Sequence, residues 1–275
     1  MVRAPWETRS CRKQTAQPRA ERRRRPPSKD AQTTGALRRQ ILWLSNRLNR
    51  VWKLRPWNGW AEHYDDNNPM IAAEECVVTP RLAELFAPGA AALDAGCDTG
   101  RHSAALADIS YHVIGTDLTP AMLNIARAKV PAAEFREGLF ENLPVDDNAV
   151  DLVTSALAVC HALDLSVVFN EFARVLRPGG RILLSGPHPT AGQIGGQAFL
   201  SGEGFDLPHV RNHAQPISDY VTAMTGTRFH IDSLVELPYD ALTLEMNPGH
   251  KFCPQVVDGA LKGLPFVLIW EATLT

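Results

Sequence analysis

The sequence predicts an α/β fold, in which a mostly parallel β-sheet is covered by helices on both faces. From residue 90 onward, short apolar runs rich in β-forming residues alternate with segments of helical periodicity. The links between them are short, which is typical of parallel strands joined by crossover helices. A strong stop at Pro178-Gly179-Gly180 ends one of these helices and separates it from the strand that follows.

The predicted elements follow one another in a regular order. Strands are predicted at 91–96, 112–117, 133–138, 150–156 and 181–187. Helices are predicted between them at 101–108, 120–129 and 164–176. Beyond these, the pattern indicates a helix near 216–224, a strand near 229–237 and a last strand at 265–274.

Charge is distributed unevenly along the 275 residues. Residues 1–55 hold 16 of the 28 lysines and arginines and carry a net charge of +13, whereas residues 56–275 carry −15. A surface with the second balance repels a nucleic-acid backbone. The acidic part of the chain is therefore not expected to bind nucleic acid by itself.

The basic N-terminal part divides into two segments. Residues 1–35 are rich in Arg, Pro, Gln, Ser and Thr and nearly lack large aliphatic residues, so a disordered tail is expected. Three interpretations of this tail stay open. It is a solvated tail, or even the product of a start codon assigned too far upstream; it contacts nucleic acid or anionic lipid; or it is an organellar transit peptide. Residues 36–56 carry an apolar stripe at helical spacing, which predicts a basic amphipathic helix. Its stripe either docks on the chain's own domain or contributes to a weak membrane-surface contact through residues 21–55.

Several classes of protein are disfavoured by the composition. No apolar run approaches the roughly 20 residues that span a bilayer, and the N-terminus lacks the continuous apolar stretch of a secretory signal. The five cysteines are scattered and form no Cys-x-x-Cys pair, which disfavours a disulfide framework and a Cys-based zinc site. No metal site is expected, and the cytoplasm is the simplest location.

The junction after the first predicted strand reads ALDAGCDTGRHSAALA and has the form of a binding site built from backbone. Asp94 ends the strand, and Gly96 and Gly100 allow a ligand to approach closely. The helix that begins near Arg101 presents free N–H groups to a carboxylate or phosphate. The second strand ends in Asp117, where an acid can hydrogen-bond a ribose diol.

Four motifs in this order resemble the class I S-adenosylmethionine-dependent methyltransferases, in the small-molecule branch related to ubiquinone and menaquinone C-methyltransferases. They are LDAGCDTGRHSAALA, VIGTDLTPAMLNIARAK, FREGLFENLPVDDNAVDLV and LRPGGRILLSGPHP, and the last two are the more specific. The resemblance covers about residues 57–275. It implies a Rossmann-like, doubly wound sheet of seven strands, mostly parallel with an antiparallel last strand. It also implies S-adenosylmethionine as the cofactor and S-adenosylhomocysteine as the product.

The same resemblance assigns roles to individual residues. It places Asp94, Gly96, Cys97 and Gly100 around the methionyl end of the cofactor, Asp117 on the ribose and Leu118 against the adenine. It places Leu139 and Phe140 around the adenine, and Ala156 and Leu157 under the methionyl end near the sulfonium. Tyr64 belongs to the N-terminal segment that covers the cofactor in relatives, where it serves as a lid contact or in plain packing.

Two residues depart from the family pattern. Asp98 stands where the first motif usually has a glycine. Aspartate tolerates a positive φ, so the turn is expected to survive, while its charge either repels the cofactor's carboxylate or helps its cationic groups. Leu139 stands where the family commonly has an acid that accepts from the adenine amino group, a loss of about 1–3 kcal/mol.

The reaction implied by the resemblance needs few catalytic groups. Methyl transfer from a sulfonium is an in-line displacement, so alignment supplies most of the rate, and a base is needed only when the acceptor must lose a proton. His161, just beyond the fourth strand, is the candidate base, with packing or capping as its alternative. His188 is expected to be a turn residue. A long Gly-rich insertion near 188–215 is expected to cover the acceptor pocket, with Phe199, Phe205 and His213 as candidate lining.

The sequence therefore predicts an enzyme that transfers a methyl group from S-adenosylmethionine to a small organic acceptor. Two alternatives stay open. One is an RNA-modifying methyltransferase guided by the basic arm, and the other is a non-catalytic ligand-binding protein on a decayed fold, which Asp98 and Leu139 favour. The sequence names neither the acceptor atom nor the oligomeric state.

Overall fold

Seven β-strands form one mixed sheet in the order β3-β2-β1-β4-β5-β7-β6. The structure is a computed structural model and describes residues 57–66, 68–193, 213, 215–247 and 249–275. The predicted tail at 1–35, the predicted helix at 36–56 and most of the predicted insertion at 188–215 lie outside these residues. No helix within the described ranges is long and apolar enough to cross a membrane.

The strands are β1 (Ala91–Ala95), β2 (His112–Asp117), β3 (Glu134–Glu137), β4 (Val150–Ala156), β5 (Leu176–Pro187), β6 (Phe229–Pro238) and β7 (Pro265–Leu274). The α-helices of the described residues are α1 (Pro69–Glu84), α2 (Arg101–Asp108), α3 (Pro120–Lys129), α4 (Leu165–Val175), α5 (Pro189–Gln193), α6 (Ile217–Gly226), α7 (Ala241–Glu245) and α8 (Pro254–Leu261). Short 3₁₀ turns occur at Ala61–His63 and Val159–His161. Strands β1 to β5 are parallel, and β7 is antiparallel to both of its neighbours. The predicted Rossmann-like fold is confirmed.

Helices pack on both faces of the sheet because successive side chains of the buried strands point to opposite faces. On one face, Leu184 of β5 joins a core that contains Phe169 and Phe172 of α4. On the other face, Leu183 joins a core that contains Val78 and Leu82 of α1. This burial on both faces explains why the central strands read as nearly continuous apolar runs.

Helix α1 begins at a well-formed cap. The Asn68 side chain accepts hydrogen bonds from the backbone N–H groups of Met70 (3.0 Å) and Ile71 (3.4 Å), and Pro69 occupies a position where no N–H is needed. Its buried stripe contains Ile71, Glu74, Val78 and Leu82. A charged residue therefore lies on the face that α1 turns towards the sheet.

The carboxyl edge of the parallel strands collects the ends of several other elements. Because β7 is antiparallel, its first residues pair with the last residues of β5, with Val267 opposite Pro187. Strand β6 ends beside the start of β7, with Pro238 opposite Pro265. The connection between β6 and β7, which carries α7 and α8, therefore emerges at the same edge as the turn after β1.

Candidate active site

The turn between β1 and α2 holds three residues in the left-handed region of backbone conformation. Their φ angles are 68° at Gly96, 47° at Asp98 and 81° at Gly100. The backbone N–H groups of Gly96 and Cys97 donate to the carbonyl of Thr116 at 2.7 and 2.9 Å, which ties the turn to β2. Aspartate is among the few residues that tolerate this region, so the turn keeps its shape without a glycine at position 98.

Glycine is required at both ends of this turn for steric reasons as well. A Cβ atom at Gly96 would lie 2.6 Å from the Cβ of Ala158 and 3.0 Å from the ring of Phe140. A Cβ atom at Gly100 would lie 2.9 Å from the Cβ of Ala126, on α3. The two glycines therefore let the turn pack closely on its neighbours.

Two buried carboxylates lie at adjacent strand ends. Asp94 is 1% exposed and accepts a 2.6 Å hydrogen bond from the hydroxyl of Ser103. Asp117 is 8% exposed and accepts from the backbone N–H groups of Thr119 (2.7 Å) and Asp98 (3.0 Å). Burial raises the pKa of both carboxyls above the ordinary range. Each oxygen of Asp117 uses one lone pair within the protein, which leaves the other to accept from a ligand hydroxyl.

Asp98 faces the N-terminal segment. Removal from water, followed by the nearby charge of Asp117, raises the pKa of its carboxyl well above the usual range, while interaction with the Tyr64 hydroxyl lowers it. Burial and the charge of Asp98 raise the pKa of Tyr64. Tyr64 therefore stays a neutral donor beside Asp98, and it links the N-terminal segment to the turn.

A buried ionic network supports the turn from behind. Glu74 of α1 is fully buried. Its Oε1 lies 2.5 Å from Nη2 of Arg101 and 3.1 Å from Nε2 of His102, and its Oε2 accepts from the hydroxyl of Ser185. Burial alone would raise the pKa of Glu74, but His102, Arg101 and Ser185 outweigh it and lower the pKa to about 2. The network joins α1, the start of α2 and the end of β5 around one charge.

The floor of the site is the end of β4. Leu157 has a positive φ of 54°, a strained conformation for a residue other than glycine. Its N–H donates to both the carbonyl (3.0 Å) and the hydroxyl (3.2 Å) of Ser185. Since that hydroxyl also donates to Glu74, the ionic network extends to the backbone of the floor.

His161 ends the 3₁₀ turn after β4 and is covered by an aromatic ring. The centroid of the Trp57 ring lies 5.0 Å from that of His161 and 6.3 Å from that of Tyr64. The neighbouring Cys160 is buried, and burial raises the pKa of its thiol to about 12, so it is a neutral packing group. The backbone N–H of His213 donates to the Cys160 carbonyl at 3.0 Å, so residue 213, at the end of the predicted insertion, lies beside this turn.

The residues expected around the adenine, Leu118, Leu139 and Phe140, are not part of the cavity lining at the turn. Phe140 is half-buried and packs edge-on against Phe172, with ring centroids 6.1 Å apart. Leu139 is 43% exposed, and Leu118 is half-buried. Phe140 thus lies over Gly96, while Leu139 presents an apolar side chain to solvent.

Eight residues enclose a small cavity at the turn: Tyr64, Asp94, Gly96, Cys97, Asp98, Arg101, His102 and Ala156. Its volume is about 10 Å³, the space of a single water molecule. Five of the eight are residues to which the sequence assigned a role towards the cofactor. No such role was assigned to Arg101 and His102 from the sequence. Their position directly after Gly100, the last glycine of the motif, is the signal that could have identified them.

Two other histidines, His63 and His188, are not part of the cavity lining. His63 is exposed and lies 3.2 Å from Asp66. His188 is buried, with Nε2 2.8 Å from Glu236 and Nδ1 accepting from the N–H of Thr190 at 3.2 Å. It holds the turn after β5, as expected. Phe199 and Phe205 are outside the described residues.

Comparison with known proteins identifies the domain. A family described as "Methyltransferase domain" matches residues 93–184, the span that contains the turn, Asp117 and the floor. Residues 93–184 therefore form a methyltransferase domain of this family. The methyltransferase domain is 36% identical over 150 residues to a malonyl-[acyl-carrier protein] O-methyltransferase of Yersinia pestis, across 54% of this chain and 55% of that protein. It is 44% identical over 89 residues to a demethylmenaquinone methyltransferase of Chlorobaculum tepidum, across 32% and 37%.

Solved structures share the fold of this chain. A methyltransferase from Mesorhizobium loti superposes with a TM-score of 0.55 at 19% identity, covering 74% of this chain and 99% of that one. Geranyl diphosphate C-methyltransferase from Streptomyces coelicolor A3(2), solved with S-adenosylhomocysteine, gives 0.55 at 18% identity and covers 75% and 82%. The chain spans about half the length of the curated relatives it matches, from 37% to 61% in those most similar.

The chemistry of the site fits S-adenosylmethionine. Asp117 offers acceptors suited to a ribose diol, Arg101 offers a guanidinium to a carboxylate, and Asp98 offers a negative charge to an ammonium or sulfonium. Tyr64 lines this cavity from the N-terminal segment that precedes α1, whereas the other lining residues belong to β1, the turn after it, α2 and the end of β4.

Proposed function

We propose that this chain transfers a methyl group from S-adenosylmethionine to a small organic acceptor. The observation that carries the proposal is the pair of buried carboxylates, Asp94 and Asp117, flanking a left-handed turn at the carboxyl edge of the sheet. That edge is where open α/β sheets bind ligands. The match to the methyltransferase domain family covers the same residues.

The protein's part in the reaction is to bind, orient and exclude water. S-adenosylmethionine, when bound, supplies a methyl group on a positively charged sulfur. The acceptor's electron pair forms a bond to the methyl carbon while the carbon–sulfur bond breaks, its electrons stay on sulfur, and S-adenosylhomocysteine is left. Asp117 holds the ribose, and the β4 floor fixed by Ser185 limits movement below it, so the reacting atoms are held in line.

The charge of the chain supports a small acceptor. Residues 56–275 carry a net charge of −15. The cavity lining contains Asp94 and Asp98, and the backbone N–H of Asp98 donates to a third aspartate, Asp117. A polyanion would be repelled from this surface. Relatives named for malonyl-[acyl-carrier protein] and for demethylmenaquinone support a carboxylic acid or a quinol as the acceptor class. We place the reaction in the cytoplasm, because the five cysteines show no disulfide framework in their spacing.

The test is transfer of a labelled methyl group. The full chain is incubated with methyl-labelled S-adenosylmethionine and separate panels of carboxylic acids, phenols and quinols, with total RNA as a further arm. We expect label in a low-mass product. Label in RNA alone, with a steep loss as salt rises, would replace this function by RNA modification through the basic arm. Binding of the cofactor without transfer to any panel would favour a non-catalytic protein.

We further propose that His161 accepts the proton of an acceptor that must lose one. Replacement of His161 by glutamine is expected to lower kcat by about 10²–10⁴-fold, the range typical of a positioned base, and to leave the Kd for S-adenosylmethionine unchanged. The measurement is steady-state kinetics as a function of pH, together with calorimetric titration of the cofactor. His63→Gln is the matched control, because His63 is exposed and its Nδ1 lies 3.2 Å from the carboxylate of Asp66. An unchanged kcat in His161→Gln would assign His161 to packing against Trp57.

A further inference from the structure

Asp98 combines three properties at one position of the cofactor turn. It stands where the family motif usually has glycine, it holds a left-handed φ of 47°, and it lines the cavity. Its backbone N–H donates to Asp117 at 3.0 Å. Asp98 therefore lies beside Asp117, the residue that we assign to the ribose, and it also lines the cavity at the turn.

Acidic side chains outnumber basic ones around the cavity. Asp94, Asp98 and Asp117 converge on the turn. Arg101 is the single arginine or lysine among the described residues of the lining, and it is already engaged by Glu74 at 2.5 Å and Glu75 at 3.2 Å.

The two other groups that could add positive charge do not offset this balance. The nearby Lys129 lies 2.8 Å from Asp65. His102 is 3% exposed, and its Nε2 lies 3.1 Å from the carboxylate of Glu74.

We propose that Asp98 is a specificity-determining residue that makes the site bind S-adenosylmethionine more tightly than S-adenosylhomocysteine. The inference rests on the proposed function. The two ligands differ by one methyl group and by the positive charge on sulfur. A carboxylate in a partly dehydrated site distinguishes these charges, because the Coulomb interaction grows as the effective dielectric constant falls. Glycine at this position supplies no such charge, so the substitution favours the substrate over the product.

The selectivity carries a pH dependence. Burial and the charge of Asp117 raise the pKa of Asp98, Asp94 adds to the effect, and Arg101 and the Tyr64 hydroxyl oppose it. From the turn after β4, Cys160 also faces Asp98, and it is neutral because its pKa is about 12. Since the ionised form of Asp98 attracts the cation, affinity for S-adenosylmethionine rises as the pH rises through this pKa. Affinity for S-adenosylhomocysteine changes much less.

The experiment is calorimetric titration of the full chain with three ligands: S-adenosylmethionine, S-adenosylhomocysteine and sinefungin, which carries an amine in place of the sulfonium. The variants are Asp98→Asn, which keeps the size and removes the charge, and Asp98→Gly, which restores the family residue. At a pH above the pKa of Asp98, we expect both to weaken binding of the two cationic ligands by at least about tenfold and to change binding of S-adenosylhomocysteine by less than about threefold. Asp219→Asn, an exposed acid on α6, is the control and should change none of the three.

The outcomes separate this inference from the proposed function. Equal affinity of the unmodified chain for S-adenosylmethionine and its product, or an equal loss for both in Asp98→Asn, overturns the selectivity and leaves the function standing. Failure of the unmodified chain to bind either ligand overturns the function and the inference together. If Asp98→Asn does not fold, as judged by its circular dichroism, Asp98→Gly gives the deciding comparison, because it also removes the charge.

Discussion

Replacement of Glu74 by glutamine is expected to lower the free energy of unfolding by about 3–5 kcal/mol at neutral pH. Glu74 is fully buried. It compensates the guanidinium of Arg101, 2.5 Å away, and lies 3.1 Å from Nε2 of His102. Removing one charge of a buried pair is costly because the other charge stays buried without its counterion. Chemical denaturation followed by circular dichroism measures the change.

Glu75 supplies the matched control, because it is the next residue on α1 and also contacts Arg101, at 3.2 Å. Its side chain is 43% exposed, so water screens the pair and Glu75→Gln should cost less than about 1 kcal/mol. If the two variants lose the same stability, the network around Glu74 is not the support that we describe.

The same residue predicts how stability depends on pH. The pKa of Glu74 is lowered from 4.5 to about 2 in the folded chain, so the unfolded chain binds the proton more readily. Its contribution, about 3 kcal/mol, is fully present above pH 4.5 and is lost as the pH falls towards 2. The Glu74→Gln variant should lack this contribution to the pH dependence of stability. Unfolding curves between pH 2 and 7 measure it: the free energies of unfolding of variant and parent should differ less at pH 2 than at pH 7.

Replacement of Asp117 by alanine is expected to reduce affinity for S-adenosylmethionine by at least about 100-fold. The substitution removes an acceptor for the ribose and leaves the N–H groups of Thr119 and Asp98 without the carboxylate that holds them at 2.7 and 3.0 Å. Hydrogen bonds to a charged acceptor are worth about 1.5–3 kcal/mol each, and the loss of two also loosens the turn after β1. Calorimetric titration measures the effect.

Asp108→Ala tests whether that loss is specific to the site. Asp108 is an exposed acid at the far end of α2, so its removal changes the net charge by the same amount but leaves the turn intact. We expect its Kd to stay within about twofold of the parent value. A similar loss in both variants would mean that overall charge, and not the contacts of Asp117, governs binding.

The central strands and their helices could be predicted from the sequence because local signals and tertiary packing agree there. Helices α2 and α3 occupy the predicted residues 101–108 and 120–129. Helix α4 ends at Val175, before Pro178-Gly179-Gly180, but the prediction that these residues separate it from the strand was wrong, because β5 (Leu176–Pro187) contains them. Left-handed glycines and strand-ending acids likewise have sequence signatures, so the turn could be found.

Helices α1, α7 and α8 were not predicted, for different physical reasons. The apolar stripe of α1 is interrupted by Glu74. A buried carboxylate at this position is stable only because Arg101, His102 and Ser185, which are distant in sequence, contact it. Helix α8 buries none of its residues, so it has no core-facing stripe to detect. Helix α7 has only five residues, too few for a periodic pattern.

The parts of the site that escaped prediction depend on contacts between distant residues. Glu74 meets Ser185, which is 111 positions away. Tyr64 was expected in the segment that covers the cofactor, but its interaction with Asp98, 34 positions away, was not expected. A local motif carries no information about such a partner. The strand ends fix where Asp94 and Asp117 lie, whereas the charge balance around them emerges only when α1 and the N-terminal segment are in place.

The central claim is that the turn after β1 and Asp117 form a site for S-adenosylmethionine. Its most direct test is calorimetric titration of the purified full chain with this ligand. The structure predicts saturable binding of one equivalent, which Asp117→Ala abolishes or strongly weakens. An absence of heat up to millimolar ligand, with the protein shown to be folded, would contradict it.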